Sequence, residues 1–488
     1  MPHELQAFRE VLNLHARQRA ALVALQGAVG RYDYGQLLSE VQQREAWLRA
    51  QPPGTFALAL DNGPEAVFWD LAALLAERPC VIVPPFFTPA QVRHSLDDSG
   101  VTLMLAEPVL APTLQAAGFN EREGVWSRQV QVANALPAGT LKITYTSGST
   151  GAPKGVCLGA DAMLRVAREL EAASRPSAPS TYLAVLPLGV LLENLGLYAA
   201  LLAGARVMVY PQAHLGMRGA GQIDWKRLLG SIALSGAESL ILVPQLLLGL
   251  VSAIEHGWTQ VGPLRFVAVG GARVAQRLLA RAEAVGLPVF EGYGLSECAS
   301  VVCLNRPGAQ RPGSVGRPLP HVQVRIAEDG EVLVAGSTLL GYLGEPPFTG
   351  QWWPTGDIGH FDGDGYLYLA GRKKNQFITS FGRNVNPEWV EAELTQGGVI
   401  LQAFVHGEGL ARNVALLWPL DPNIGDPLIE QAVTQCNAGL PDYARVHAWR
   451  RLPEPFSAAS ATLTANGRPR RDQILQRYHG LLSAIADS

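Results

Sequence analysis

The chain has 488 residues, of which 48% are hydrophobic and 17% are charged, so its apolar surface suffices for the core of a large globular protein. A net charge of −3 gives no basic field that would attract nucleic acid, which is therefore excluded as a partner. The five cysteines are scattered without a CxxC or Cys/His spacing, which favours reduced thiols over disulfides or structural zinc.

Neither the N-terminal segment nor the most apolar stretch of the chain suggests a membrane protein. The first twenty residues mix charged and apolar side chains and lack the uninterrupted apolar run of a signal peptide. The most apolar stretch, 182–210, is broken by a proline and by polar residues, so it is predicted to be buried α/β core. The interrupting residues are Pro187, Glu193, Asn194 and Arg206. We expect a cytoplasmic protein without a transmembrane segment.

Two stretches of the chain alternate short apolar runs with helical patterns. The first extends from 55 to 107 and reads βαβαβ, which predicts parallel strands. The second, from 181 to 271, repeats the alternation and predicts another doubly wound α/β unit in the same large domain. After Gly313 short β-type runs take over, and Asp329-Gly330 predicts a hairpin turn. A β-rich region is therefore expected after the α/β body.

A separate C-terminal unit is predicted from a basic cluster near 371, followed by an amphipathic helix that begins at Pro387. The predicted fold class is α/β, with a large N-terminal domain at 1–371 and a small α+β C-terminal domain at 372–488. The large domain contains the two doubly wound subdomains and the β-rich region.

The sequence TLKITYTSGSTGAPKGV is the strongest local signal for chemistry. A β-type run ends in a loop whose hydroxyls, backbone N–H groups and ammonium suit a polyphosphate. The candidate phosphate-binding residues are Thr146, Ser147, Gly148, Ser149, Thr150, Gly151 and Lys154. Pro153 stands where the P-loop pattern demands glycine, which disfavours an ordinary P-loop NTPase. For the loop alone, a Gly/Ser surface turn remains the alternative.

Three further motifs follow this loop in order. They are EGYGLSE at 291–297, PTGDIG at 354–359 and GRKKNQFITSFGRNVNPEWVE at 371–391. Together with the loop, their order and spacing resemble the adenylate-forming superfamily over nearly the whole chain. That superfamily comprises acyl- and aryl-CoA synthetases, the adenylation domains of peptide synthetases and firefly-type luciferases. LPLGVLLEN at 186–194 and FITSFGRNVNPEWVE at 377–391 are most similar to fatty acyl-CoA synthetases.

The resemblance implies a two-step reaction with ATP and Mg²⁺. A carboxylate attacks the α-phosphate of ATP to give acyl-AMP and pyrophosphate, and a thiol then takes the acyl group. Both reacting groups are anionic, so such a site must screen repulsion and hold the attacking and leaving oxygens in line. The resemblance implies a small-molecule carboxylic acid as substrate and, as the thiol, CoA or the phosphopantetheine of an acyl or peptidyl carrier protein.

The resemblance also assigns roles within EGYGLSE. Tyr293 is expected to stack on adenine, and Ser296, which replaces the more usual threonine, to hydrogen-bond the α-phosphate. Glu297 is a hard oxygen ligand suited to Mg²⁺ that bridges phosphates. Glu291 is counted with the nucleotide-binding residues, and Lys154 of the loop with the catalytic ones.

Outside this motif, Gly270, Gly271 and Ala272 follow a predicted strand and resemble the adenine-side turn of the family. Asp357 and Arg372 match its ribose-binding pair.

The resemblance makes the C-terminal domain a mobile one. Lys374 stands at the hinge about which this domain rotates between adenylation and thioester formation. Gly382 would approach the thiol tunnel in the second state, where a side chain would obstruct it.

The sequence departs from the family pattern at two positions. Arg468 replaces the lysine that normally contacts the carboxylate and α-phosphate, and this exchange is not conservative at a demanding site. Either Arg468 does the same work, which we expect, or Arg470 or Arg471 contributes, or adenylation is weak. Val190 replaces a histidine or aromatic residue, which favours an aliphatic, fatty acid as substrate.

Two other functions stay open. A standalone enzyme of this type would load an amino or hydroxy acid onto a carrier protein, although no acid that would grip a substrate ammonium is obvious at 181–195 or 239–246. A catalytically weak nucleotide- or acyl-binding homologue is suggested by Arg468 alone, and it would bind nucleotide without forming pyrophosphate.

Overall fold

The computed structural model describes residues 2–130, 134–146, 153–218, 222–259, 262–464 and 467–486. It is a mixed α/β structure with a large N-terminal and a smaller C-terminal domain, as predicted. The α-helices of this described chain are His3–Gln18, Tyr34–Ala50, Pro64–Leu75, Pro89–Asp98, Ala111–Ala116, Ala160–Ser174, Leu191–Leu202, Trp225–Ser235, Pro244–Glu255, Gln276–Ala284, Pro387–Thr395, Asp426–Ala438 and Arg471–Ala486.

Sheet I is the product of the second predicted α/β unit. Its inner strands, from Val289–Tyr293 across to Val23–Gln26, are all parallel, and its edges are antiparallel. In spatial order its strands are Arg317–Pro318, Cys303–Leu304, Val289–Tyr293, Phe266–Val269, Ser239–Leu242, Thr181–Ala184, Arg206–Val209, Val23–Gln26 and Arg31–Asp33. The parallel order was predicted, whereas the N-terminal strand that extends the sheet was not.

Sheet II is the product of the first predicted unit, and its parallel centre is flanked by antiparallel hairpins. Its strands in spatial order are Gly341–Tyr342, Lys154–Leu158, Lys142–Thr146, Cys80–Ile82, Thr55–Ala59, Val101–Ala106, Val125–Ser127 and Asn120–Arg122. The helices between these strands begin at strong N-terminal signals: Pro64 starts one, and Thr88 forms a capping box with Gln91 before another.

The helices between the two sheets share one large hydrophobic core, and a buried polar cluster crosses it. Asp70 accepts hydrogen bonds from the Tyr198 hydroxyl at 2.6 Å and the Asn194 amide at 2.7 Å, and it pairs with the buried Lys142. A buried charge is tolerable when it is paired and hydrogen-bonded in this way. Because Lys142 begins the strand Lys142–Thr146, the cluster fixes this strand relative to the helix Leu191–Leu202.

Sheet III is the predicted β-rich region. It is antiparallel, and its strands are Val322–Ile326, Glu331–Gly336, Trp353–Phe361 and Leu367–Arg372. The turn at Asp329-Gly330 joins the first two strands, as predicted.

The small domain contains sheet IV, with strands Ile400–His406, Asn413–Pro419 and Val446–Arg451, and a short ribbon of Phe377–Ile378 with Asn384–Val385. Its hydrophobic clusters are built from residues after 376. The predicted boundary between 371 and 372 stays a prediction, and it lies at the end of the strand Leu367–Arg372. A membrane-crossing helix, which needs about 20 apolar residues, is absent from the described part of the chain.

Candidate active site

The candidate phosphate loop joins two antiparallel strands of sheet II. Thr146 and Lys154 are paired across this hairpin, so the two ends of the loop lie side by side. Ser147, Gly148, Ser149, Thr150 and Gly151 lie outside the described residues. The Nζ of Lys154 lies 2.9 Å from Oε1 of Glu345 and 5.0 Å from the centre of the Tyr342 ring. The lysine and Glu345 are both about half exposed, at 45% and 48%.

Tyr342 connects this lysine to Glu297. The Tyr342 hydroxyl donates to Oε1 of Glu297 at 2.8 Å, which holds the carboxylate in one orientation. Ser296 and Glu297 lie in the short 3₁₀ turn Ser296–Cys298, immediately after the sheet I strand that ends at Tyr293. Burial and then the negative charge of Glu297 raise the pKa of Tyr342, so its hydroxyl stays protonated and can donate.

Sequence reasoning missed Tyr342 and Glu345. Tyr342 is placed here because Gly341–Tyr342 pairs with the edge of Lys154–Leu158, and this pairing between distant segments leaves no local pattern. His94 was also missed: its Nε2–H donates to the carbonyl oxygen of Pro153 at 2.9 Å, and its ring packs edge-on to Tyr145. The histidine thus holds the residue that precedes Lys154.

Asp357 and Arg372 are paired directly across sheet III, and Nε of Arg372 lies 3.0 Å from Oδ1 of Asp357. The buried Tyr293 hydroxyl donates to the other oxygen, Oδ2, at 2.6 Å. Burial raises the pKa of Asp357, and the charge of Arg372 opposes that rise. The structure therefore joins three predicted residues from three motifs, with Tyr293 attached to Asp357 through its hydroxyl.

The predicted adenine-side turn lies at the carboxyl end of the sheet I strand Phe266–Val269. Gly270 is buried, while Gly271 and Ala272 are exposed to the space beside the small domain. Glu291 points to the same side of its strand as Tyr293, and both side chains are buried. Burial raises the pKa of Glu291 to about 8, against the opposing charge of Arg273.

Arg468 reaches this site from the small domain. Its Nη2 donates to the carbonyl oxygen of Gly271 at 3.4 Å, while part of the side chain stays open to water. Desolvation and then repulsion from Arg372 lower the pKa of Arg468, and the carboxylates of Glu388, Glu297 and Asp357 oppose that effect. The structure thus brings Arg468 to the predicted adenine-side turn, within electrostatic reach of Glu297, Asp357 and Arg372. Crowding two guanidinium groups in this way favours an anionic ligand between them.

We use the term charged cleft for this collection: Lys154, Glu297, Tyr342, Asp357, Arg372 and Arg468. Arg471, one of the alternatives to Arg468, is engaged elsewhere, because it donates to Glu391 at 2.7 Å inside the small domain. Among the described residues, no group of three or more His, Cys, Asp or Glu side chains could hold a metal ion.

The predicted hinge lies between anchors on the two domains. Lys373 is paired with Asp329 and Glu331 of sheet III, while Asn375 donates to Glu388 of the small domain at 2.6 Å. Lys374 stands between these anchors and is exposed. Gly382 lies at the exposed tip of the Phe377–Ile378 and Asn384–Val385 ribbon, with a φ of 71° that favours glycine.

The 186–194 segment is held by buried polar side chains, one of its own and one from another part of the large domain. Glu193 is fully buried, accepts a hydrogen bond from the Tyr182 hydroxyl, and accepts another from the Leu186 N–H at 2.8 Å. The amide of Asn62 holds the same segment by bonds of 2.8 Å to Leu186 and Leu188. Burial raises the pKa of Glu193 to about 8, so its carboxyl is protonated at neutral pH. Its partners are groups of the protein itself.

A model of the AMP-binding enzyme family matches residues 8–344, more than half of the chain. The chain belongs to the AMP-binding enzyme family. The predicted membership of the adenylate-forming superfamily is thereby confirmed, and relatives of this family member include a long-chain-fatty-acid–CoA ligase and an indoleacetate–CoA ligase.

Among these relatives, the chain is 30% identical to an indoleacetate–CoA ligase of Aromatoleum aromaticum over 444 residues, which covers 84% of this chain and 82% of the relative. It is 32% identical to a long-chain-fatty-acid–CoA ligase of Mycobacterium bovis over 254 residues, which covers 46% of this chain and 42% of the relative. The chain thus matches less than half the length of that second relative.

The fold of this family member is similar to that of a solved anthranilate CoA ligase in complex with anthranoyl-AMP. The TM-score is 0.79 at 18% identity, and the similarity covers 96% of both chains.

Proposed function

We propose that this protein is an AMP-forming acid–thiol ligase. It activates a carboxylic acid as acyl-AMP and transfers the acyl group to the thiol of CoA or of a carrier protein's phosphopantetheine. The observation that carries the proposal is the position of Arg468, which the small domain presents to Gly271, opposite the Asp357–Arg372 pair. A single cation brought to an anion site by a separate domain suits a reaction in which two anions must meet.

In the first step, a carboxylate oxygen of the acid forms a bond to the α-phosphorus of ATP. The bond from that phosphorus to the bridging oxygen of the β-phosphate breaks, and pyrophosphate leaves. Lys154 and the loop residues Thr146 to Gly151 would hold the leaving pyrophosphate, and Ser296 the α-phosphate. Arg468 would screen the repulsion between the carboxylate and that phosphate.

The nucleotide would be held by the remaining residues of the predicted set. Asp357 would accept hydrogen bonds from the ribose hydroxyls while Arg372 keeps it ionised. Gly270, Gly271 and Ala272 would border the adenine. Tyr293 donates its hydroxyl to Asp357, so its proposed role is to orient this carboxylate and to offer its ring face to the base. The buried Glu291 would support the adenine-binding residues from the protein interior.

Mg²⁺ fits the donor set as an ion shared with the nucleotide. Glu297 supplies one carboxylate held in place by Tyr342, and Mg²⁺ is commonly bound by one or two carboxylates together with substrate phosphates. When bound, the ion would neutralise phosphate charge.

In the second step, the thiol sulfur forms a bond to the acyl carbon and the bond to the AMP oxygen breaks. The hinge at Lys374 would turn the small domain so that Gly382 replaces Arg468 at the site.

The acid is proposed to be a fatty acid. Val190 and its apolar neighbours support this choice, and so does the similarity to a fatty-acid ligase. The similarity to an indoleacetate ligase supports an aromatic acid as the second candidate. An amino acid is disfavoured, because the carboxyl of Glu193 is turned toward Tyr182 and Leu186.

The experiment is pyrophosphate release with ATP, Mg²⁺ and a panel of aliphatic, aromatic and amino acids, without thiol. Acid-dependent release that falls strongly in Lys154→Ala and Glu297→Ala is the expected result. The exposed Lys226, on the distant helix Trp225–Ser235, provides a matched lysine control in Lys226→Ala. If ATP binds but no acid promotes release, the proposal is wrong and the protein is a nucleotide-binding homologue.

A further inference from the structure

The surface between the two domains includes a contact far along the chain from the hinge. The helix Pro387–Thr395 of the small domain is capped at its C-terminus by Gln396, and this residue faces the start of the large-domain helix Gln276–Ala284. Gln396 is only 6% exposed, although glutamine is usually a surface residue. A buried polar side chain at a domain boundary must have its hydrogen bonds satisfied there, so its partners reveal what it holds together.

Within the described chain, the side chain of Gln396 forms both of its hydrogen bonds with the large domain. Its Oε1 accepts from the backbone N–H of Ala275 at 2.7 Å, and its Nε2 donates to the backbone oxygen of Arg273 at 2.9 Å. Arg281 also donates to the backbone oxygen of Gln396 at 3.4 Å. The amide therefore clamps the three-residue stretch from Arg273 to Ala275, which begins two residues after Gly271, the residue contacted by Arg468.

One turn before Gln396, an ion pair strengthens the same boundary. Nε of Arg277 lies 3.6 Å from Oε2 of Glu393, and neither side chain is more than about a third exposed, at 31% and 15%. Glu393 also lies at the N-terminus of the helix Gln276–Ala284, where the helix dipole favours a negative charge. The guanidinium of Arg273 lies 5.9 Å from the ring of Trp389.

Near the hinge, a second contact joins the two domains in the same orientation. The amide of Asn386, in the small domain, donates to the backbone oxygen of Ala370. Gly371, whose φ of 138° favours glycine, leaves no room for a Cβ beside that amide. The two contact regions, one near the hinge and one at Gln396, define a single orientation of the small domain, and in that orientation Arg468 reaches Gly271.

We propose that Gln396 is a positioning residue: with the Arg277–Glu393 pair, it latches the small domain in the orientation that presents Arg468 for adenylation. The proposal rests on the function proposed above, because the orientation has a purpose only if Arg468 serves the first half-reaction. The latch must be released before thioester formation, so its strength sets how the enzyme divides its time between the two half-reactions.

The test compares Gln396→Ala with a matched variant, Gln402→Ala. Gln402 makes the same pair of bonds, at 2.7 Å and 3.0 Å, to the N–H and carbonyl of Phe456, but entirely within the small domain. Both half-reactions are measured: acid-dependent pyrophosphate release, and thioester formation from preformed acyl-AMP and thiol. Gln396→Ala is expected to slow the first about tenfold and to leave the second unchanged or faster. Gln402→Ala is expected to leave their ratio unchanged.

If Gln396→Ala slows both half-reactions equally, the glutamine only stabilises the fold, and that result would overturn the proposal. A double variant adds a second check. In the Arg468→Ala background, Gln396→Ala is expected to cause no further loss of adenylation, since the glutamine acts through the arginine. Fully multiplicative losses would also overturn the proposal.

A readout without activity separates this proposal from the proposed function. The native cysteines are all buried, so Leu234→Cys and Leu428→Cys, at positions 92% and 52% exposed, can be labelled with a donor and an acceptor fluorophore, one on each domain. Energy transfer is expected to change in Gln396→Ala but not in Gln402→Ala. Equal transfer in both variants would overturn the latch. If the wild type releases no pyrophosphate with any acid, the proposed function fails, and the energy-transfer result still judges the latch.

Discussion

The charged cleft and the 186–194 segment use polar side chains in opposite ways. In the charged cleft, several ionic groups are partly open to water, such as Lys154, Arg372 and Arg468. Behind the 186–194 segment, the polar groups of Glu193 and Asn62 are buried and bonded to the segment's own backbone. Charged groups in the cleft are therefore accessible to a ligand, whereas the polar groups of Glu193 and Asn62 are occupied by hydrogen bonds within the fold.

This difference teaches how selectivity would be divided in the proposed reaction. A nucleotide would be selected by charge and hydrogen bonds, whose loss changes rates by large factors. An acid would be selected by the shape of an apolar surface, where one methylene changes rates only modestly. Each of the following experiments breaks or sharpens that contrast.

The largest effect is expected for Arg468→Ala. Removing the cation that faces Gly271 leaves the repulsion between carboxylate and phosphate unscreened, so the first half-reaction is expected to slow by about 10²- to 10³-fold. Thioester formation from preformed acyl-AMP is expected to be almost unaffected. Arg450→Ala, an exposed arginine on the strand Val446–Arg451, is the control. Equal slowing of both steps would exclude a role confined to adenylation.

A smaller loss is expected for Asp357→Asn. The substitution preserves shape and an oxygen for Tyr293, but it removes the charge that pairs with Arg372. We expect kcat/KM for ATP to fall by about 30-fold, roughly the value of one charge-assisted hydrogen bond, with the preference among acids unchanged. Steady-state kinetics with varied ATP and then varied acid checks this. A changed acid preference would contradict the division between charge and shape.

Glu193→Gln tests the buried side through pH. Because the pKa of Glu193 is raised to about 8 in the folded protein from an ordinary 4.5, the folded state holds a proton that the unfolded state releases as pH rises between these values. The group's stabilising contribution is complete below pH 4.5 and is lost as pH rises toward 8, by about 1.4 kcal/mol per pH unit.

The variant cannot titrate, so its free energy of unfolding is expected to depend less steeply on pH between 5.5 and 7.5 than that of the wild type. Denaturant unfolding at several pH values measures the two slopes. Identical slopes would mean that this carboxyl is ionised in the fold. A change in amino-acid-dependent pyrophosphate release would instead make Glu193 a substrate ligand and would break the comparison.

The smallest effect is expected for Glu345→Gln. Glu345 competes with any phosphate for the Nζ of Lys154, but exposed ion pairs contribute little. We expect the Kd for ATP to fall by about two- to fivefold, measured by calorimetry at fixed ionic strength. Raising the salt concentration should reduce the difference between variant and wild type. Weaker binding in the variant would show that the pair supports the site.

Local patterns in the sequence sufficed for much of the fold. The strands of both doubly wound units and the Asp329-Gly330 turn were predicted because apolar runs, turn residues and helix starts are properties of neighbouring residues. The strand Val23–Gln26 was not placed in sheet I, because its partner Arg206–Val209 lies far away in the chain and pairing of this kind depends on the whole fold.

The candidate site divides in the same way. Asp357 and Arg372 could be selected from family motifs, and the roles assigned to them remain predictions. Tyr342, Glu345 and His94 could not, since they reach the loop from a sheet edge and a neighbouring helix through contacts between distant segments. The sequence also left Arg468, Arg470 and Arg471 as alternatives, and only the fold separates Arg471, bound to Glu391, from the arginine at the cleft.

The separate cores of the two domains have a thermodynamic consequence. The hydrophobic clusters of the small domain consist of residues after 376, and its boundary with the large domain is made largely of hydrogen bonds and ion pairs. Such a molecule can melt in two steps, because little apolar surface couples one core to the other. A ligand held by both domains would stabilise them jointly and merge the two heat-capacity peaks into one, so calorimetry alone can report whether a bound molecule spans the boundary.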